Sequence, residues 1–242
     1  MSWHTNRMVA FDTETTGLDV ESDRIVTAAL VEVGGGQRPV TRAWLANPGV
    51  PIPTAAAKVH GVTTAMARHG RPPADVVAEI SAAIVEHARA GRPLVVMNAP
   101  YDLTLLDREL QRYELPSLAE QLGDTDLHVI DPLVIDRQAD RYRKGARNLG
   151  ALARHYGVTL GRAHTADADA LAAAEIVDVI LQRYPNMRAW TLSHLHWSQV
   201  EWAYGQAADR QLYRARKNPN MAAVAVTEAW PMVPRPRKGG AR

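Results

Sequence analysis

The chain has 242 residues, enough for one substantial core with an appendage or for two small domains. Its 28 basic and 26 acidic side chains leave a formal charge of +2, so any affinity for polyanions must come from local patches. It has no cysteine, which excludes disulfides, thiol catalysis, iron–sulfur clusters and the commoner zinc sites. No apolar run approaches the ~20 residues needed to span a bilayer, and the opening MSWHTNR lacks the apolar stretch of a secretion signal. A cytoplasmic, membrane-free protein is the expectation.

In chain order, residues 7–12 read as a buried strand, 24–33 (RIVTAALVEV) as a second and 39–46 (PVTRAWLA) as a third. The turn GGGQ (34–37) between the last two is hairpin grammar, so the first three strands should be antiparallel neighbours. The Pro-rich stretch that follows has room for at most one short helix. Residues 73–91 place Val76, Val77, Ile80, Ala83, Ile84 and Ala88 at helical spacing and end on Gly91. PLVVMN (93–98) is wholly apolar, as a central strand should be. A helix over 101–113, a strand over 127–131 and helices over 147–156 and 166–183 complete an α/β pattern with a mixed sheet. Residues 187–228 are more aromatic, with Trp190, Trp197, Trp202 and Tyr204, and read as a helical extension packed on a domain spanning 1–186. Residues 229–242, rich in Pro, Gly and Arg, read as a disordered basic tail.

Within this frame the acids form a pattern. Asp12 and Glu14 are two apart on the first strand and therefore share a face. Alone, such a pair is more often a solvated strand end than a site. However, Asp102 follows the central strand at a helix start, and HTADADA (164–170) places His164 five residues before Asp169. Five residues turn a helix by about 500°, so His164 should lie in the loop ahead of the helix and lean back toward a carboxylate. Four carboxylates and a histidine at strand ends and helix starts suit two hard Mg²⁺ or Mn²⁺ ions. Such ions prefer oxygen ligands and offset the acids' charge.

The blocks FDTETTG (11–17), NAPYDLTLL (98–106) and HTADADA (164–170), in this order, resemble the three motifs of the DEDDh 3′–5′ exonucleases. This family includes the proofreading epsilon subunit of bacterial DNA polymerase III. KVHGVT (58–63) resembles the family's segment between the first two motifs. The resemblance covers about residues 7–184. It implies a ribonuclease-H-like three-layer fold with a mixed five-stranded sheet, and two-metal hydrolysis releasing nucleoside monophosphates from 3′ ends. Carried over, Asp12, Glu14, Asp102 and Asp169 would bind the metals and His164 would act as general base. Thr15 and His60 would meet the terminal nucleotide, and Asn98 and Tyr101 would line the site. Tyr101 stands where the family usually has Phe, and Asp167 is an extra acid read as a helix-cap or supporting residue.

The basic run at 136–148 precedes the third motif, and Arg143 and Lys144 are its expected phosphate contacts. Leu18 reads as a packing residue, with a wedge beside the terminal base as the alternative. A 3′-end nuclease should take single-stranded DNA or frayed ends, because it cannot act on a base held in a duplex. RNA 3′ ends are the alternative substrate, and a DNA polymerase is a possible partner. A non-catalytic nucleic-acid-binding module is the alternative of another class, disfavoured because all four acids and the histidine are present.

Overall fold

The computed structural model describes residues 3–161, 164–217 and 229–235. Its sheet has the order β3-β2-β1-β4-β5, with β1 Arg7–Thr15, β2 Ile25–Gly34, β3 Val40–Leu45, β4 Leu94–Val95 and β5 Val129–Ile130. Strands β1 to β3 are an antiparallel meander, and β4 and β5 join beside β1 in parallel. Glycine is required at the turn after β2. Gly34 has φ 85°, and a Cβ there would fall 2.6 Å from the Asn6 carbonyl oxygen.

Among the described residues the helices are α1 Thr54–His60, α2 Thr64–Ala67, α3 Pro73–Arg89, α4 Ala99–Arg112, α5 Leu118–Leu122, α6 Pro132–Ala139, α7 Leu149–Tyr156, α8 Ala166–Arg183, α9 Pro185–Arg188 and α10 Leu192–Lys217. The stretch after β3 therefore holds two short helices, where at most one was expected. Helices α5 and α6 were not among the expected elements; α5 has only five residues, and α6 opens at the Asp131–Pro132 step and runs into the basic stretch. Strand β1 runs beyond the expected end at residue 12, so both Asp12 and Glu14 stand on paired backbone.

Alternation along β1 builds the layers. Val9 and Phe11 enter one core with α3 and α4, while Met8 and Ala10 enter another with α7 and α8. Each large apolar side chain fully buried in these layers contributes roughly 1.5–3 kcal/mol. Ala10 meets a helix whose inner face is Ala170, Ala173 and Ala174, so α8 can lie close to the sheet.

Helix α10 covers the β5 edge. His196 Nδ1 accepts from the Val129 N–H at 3.0 Å, and Gln199 Oε1 accepts from the Asp131 N–H at 2.7 Å. Gln199 Nε2 donates to the Val129 carbonyl at 3.1 Å, so two side chains satisfy backbone groups that an uncovered edge would leave open. The expectation of a free tail from residue 229 needs correction, because residues 229–235 are folded against the domain. Trp230 is buried, Thr104 Oγ1 accepts from the Val233 N–H, and the Arg108 guanidinium donates to the carbonyls of Val233 and Pro234. Arg235 pairs with Asp107 at 2.8 Å, an anchor that composition alone does not reveal. The remainder of that expected tail, and residues 218–228 of the expected extension, lie outside the described residues. No helix of the described residues is long and apolar enough to cross a membrane.

Candidate active site

The strand period that sends Met8 and Ala10 toward α8 also sends Asp12 and Glu14 that way. Thr13, on the opposite face with Val9 and Phe11, points toward α4 and donates to Asp102 Oδ1 at 2.5 Å. Asp102 lies in the first turn of α4, and β4, which leads into that helix, runs parallel to β1. Asp169 occupies the first turn of α8. His164 precedes that helix with a left-handed backbone, φ 62°, uncommon for a non-glycine residue and compatible with a constrained functional loop. Ligand-capable atoms of Glu14, His164 and Asp169 all lie within 4.8 Å of one another. The expected loop placement of His164, leaning back onto an acid, is therefore realised.

Electrostatics make the crowding costly. Burial, followed by the charges of Asp102, Asp169 and Glu14, drives the Asp12 carboxyl well above the ordinary carboxylate range. Burial, then Asp169 and Asp102, pushes Glu14 up to about 7. Burial likewise carries Asp102 to about 7 against the opposing hydrogen bond from Thr13. Burial also raises Asp169, with His164 acting in the opposite direction. Among the described residues, no Lys or Arg forms an ion pair with any of these four acids. A cluster of oxygen donors lacking its counter-charge fits hard divalent cations, and a soft, cysteine-based site is ruled out by composition.

The turn after Glu14 is pinned. Thr15 Oγ1 and the Tyr101 hydroxyl lie 2.7 Å apart, and each also reaches the Gly17 carbonyl, at 2.7 and 2.5 Å. The hydroxyl that separates Tyr101 from the family's usual Phe therefore ties the second motif to the first. Burial pushes its pKa up to about 12, so it remains a donor at neutral pH. Gly17 is needed for close approach, because a Cβ there would lie 2.5 Å from an Asp23 carboxylate oxygen. His60 is buried with its ring toward the Thr15 backbone, and its Nδ1 accepts from the Val62 N–H at 3.1 Å. Leu18 is 88% exposed and so is not the packing residue that sequence favoured.

Asn98 is exposed and stands at the N-terminal boundary of α4 in a left-handed conformation, φ 61°, with no side-chain cap hydrogen bond. The side chain of Asp131, which sequence reasoning did not single out, accepts from the backbone N–H groups of Asn98, Ala99 and Leu133 at 3.1, 3.0 and 2.9 Å. One buried carboxylate thus fixes the starts of both α4 and α6 and orients Asp102. The Asp131–Pro132 step, a cap followed by proline at the first helical position, was the available signal.

Of the two expected phosphate contacts, Lys144 is exposed, whereas Arg143 is turned inward. Its guanidinium pairs with the fully buried Asp136 at 2.9 Å, alongside Arg147 at 2.5 Å and the Tyr156 hydroxyl at 2.9 Å. That carboxylate folds the 140–148 loop back on itself. Asp167 is exposed at the outer side of the first turn of α8.

An exonuclease family model, RNase_T, matches residues 9–177. The chain is 35% identical over 187 residues to a DNA polymerase III subunit epsilon-like protein of Rhodobacter capsulatus, a match covering 75% of this chain and 24% of that one. It is 27% identical over 183 residues to a PolC-type DNA polymerase III of Lacticaseibacillus paracasei, covering 76% of this chain and 12% of that one. The chain thus spans a quarter or less of the length of these relatives. In fold it is similar to E. coli exonuclease I in complex with a dT13 oligonucleotide, with a TM-score of 0.63 and 19% identity over 75% of this chain and 42% of that one.

Proposed function

Because the chain belongs to the exonuclease family, we propose that it releases nucleoside monophosphates from the 3′ ends of DNA, preferring single strands and frayed termini, by metal-dependent phosphodiester hydrolysis. The observation that carries this reading is the convergence of Asp12, Glu14, Asp102 and Asp169, with His164, at one end of the sheet, with no Lys or Arg paired to these acids among the described residues. Asp12, Glu14, Asp102 and Asp169 would hold two Mg²⁺ or Mn²⁺ ions, which when bound polarise the scissile phosphate and acidify the attacking water.

The chain's own groups supply the rest. His164, exposed and within reach of Glu14 and Asp169, is placed to take the proton of the attacking water at its imidazole. Thr13 holds Asp102 in one orientation, and Asp131 fixes the helix that carries it. The Thr15–Gly17 turn, locked by Tyr101, borders the acids where a terminal nucleotide would lie, and the exposed Leu18 is available to wedge beside its base. The names of the matching relatives support a proofreading or repair role beside a DNA polymerase, and the oligonucleotide complex of the structural relative supports a single-stranded substrate. A cytoplasmic location is part of the same reading.

The test is digestion of equal-length DNA and RNA oligonucleotides, labelled at the 3′ or 5′ end, with Mn²⁺. The reading predicts early release of the 3′-terminal mononucleotide from single-stranded DNA. Preferential digestion of RNA would reassign the substrate. Binding without turnover of either polymer would make the chain a non-catalytic module.

A further inference from the structure

Helix α10 has one stripe that faces the domain, and its chemistry changes along its length. Leu195, His196, Gln199, Ala203 and Ala207 follow β5 and the adjoining core, while Arg210 and Arg214 continue the same stripe beyond them. Arg210 is half-buried and faces Arg137, at the end of α6. Burial lowers the pKa of both guanidinium groups, and each is depressed further by a neighbouring cation: Arg137 by Arg210, and Arg210 by Arg214. Among the described residues neither forms an ion pair with a carboxylate, although Asp131 and Asp136 attract Arg137 from a distance. The helix dipole favours cations only within the last turn, so it accounts for Arg214 and Arg137 but not for Arg210, two turns before the end of α10.

These two arginines line a groove between α6 and α10 with a volume of about 350 Å³. Its other walls carry Arg147, Glu201 and an exposed Arg141–Asp209 pair. Arg137, Gln206 and Arg210 also line a second, smaller cavity, whose far wall carries Asn98 and Pro100 at the start of the helix that holds Asp102. Gln206 Nε2 donates to the Val134 carbonyl, while its Oε1 is buried with no donor among the described residues. A half-buried pair of like charges therefore lines both the groove and the small cavity at the start of α4.

We propose that this groove seats a phosphodiester of the substrate strand upstream of its 3′ end, gripped by Arg137 and Arg210. The inference rests on the exonuclease reading. It makes α10 part of the substrate path as well as the cover of β5. Phosphate would relieve the repulsion between the two guanidinium groups and accept their fork of donors.

The test uses the full chain and its R137Q, R210Q and R137Q/R210Q variants, with a length series of single-stranded oligothymidylates from two to about twelve nucleotides. Binding is read by fluorescence anisotropy in EDTA across salt concentrations, and hydrolysis with Mn²⁺ on the p-nitrophenyl ester of thymidine 5′-monophosphate. The double variant should bind the longer strands roughly tenfold more weakly, with a salt slope reduced by about 0.7 per lost phosphate contact. It should keep ester hydrolysis within about twofold of wild type, since that probe has no upstream strand. Arg→Lys versions should recover most of the salt slope. The proposal is overturned if the double variant binds long strands like wild type, or if wild-type affinity stops rising at the dinucleotide. Failure of wild type to hydrolyse either the ester or DNA would refute the exonuclease reading, while the EDTA binding arm would still decide the groove.

Discussion

A single buried carboxylate, Asp136, and a group of four crowded ones are handled in opposite ways in this molecule. Asp136 is fully buried but receives Arg143, Arg147 and the Tyr156 hydroxyl, so its charge is spent on holding the 140–148 loop. Asp12, Glu14, Asp102 and Asp169 are crowded at the end of β1 with no arginine or lysine pairing among the described residues, and their pKa values rise together. Both sites are partly or wholly removed from water, but counter-charge is built into the first and, among the described residues, no Lys or Arg pairs with the second. The four crowded acids are the ones that the proposed function assigns to cations from solution.

The sharpest way to break that contrast is to remove an acid from the uncompensated set. Asp102→Asn should lower DNA hydrolysis by at least about 10³-fold, read from release of 3′-labelled nucleotide, because the loss of several kcal/mol of metal-assisted stabilisation is at issue. His164→Ala should cost about 10²- to 10⁴-fold in turnover while retaining Mn²⁺ binding by calorimetry. Weakened Mn²⁺ binding would instead make His164 a ligand.

The compensated carboxylate should respond in stability. Asp136→Asn leaves two mostly buried guanidinium groups without their carboxylate and should lower unfolding free energy by about 3–5 kcal/mol in urea melts, with metal binding retained. In the uncompensated cluster the sign reverses. Glu14, raised to about 7 in the fold, holds more protons folded than unfolded between its ordinary range and that value. Stability of the metal-stripped protein therefore falls as pH rises through this window, and the penalty is complete above about 7. Glu14→Gln should raise the melting temperature of the stripped protein at pH 8, with the gain shrinking toward pH 4. The smallest effect belongs to Asp167→Asn, which should keep turnover within about twofold because that side chain is exposed. A loss equal to that of Asp169→Asn would show that Asp167 belongs to the cluster.

Much of the acid cluster was legible in sequence because it depends on local rules. Strand alternation places Asp12 and Glu14 on one face, and the five-residue spacing forces His164 into a loop. What escaped notice depends on partners distant in the chain. Arg143 looked like a phosphate contact although Asp136 is only seven residues away, because sequence does not show that α6 buries that carboxylate. Nothing local to His196 and Gln199 marks the hydrogen bonds they supply to β5. The folding back of Trp230 to Arg235 rests on Asp107, Arg108 and Thr104, more than a hundred residues away, and low-complexity composition pointed the other way. Helix α5, with five residues, is too short for its periodicity to stand out.

The measurement that addresses the contrast most directly is thermal unfolding with and without Mn²⁺, at a pH above 7, for wild type and Asp12→Asn. If the acids at the end of β1 await a cation, Mn²⁺ should raise the wild-type melting temperature in a concentration-dependent way and leave the variant nearly unmoved. An unshifted wild type, or an equal shift in Asp12→Asn, would contradict the account.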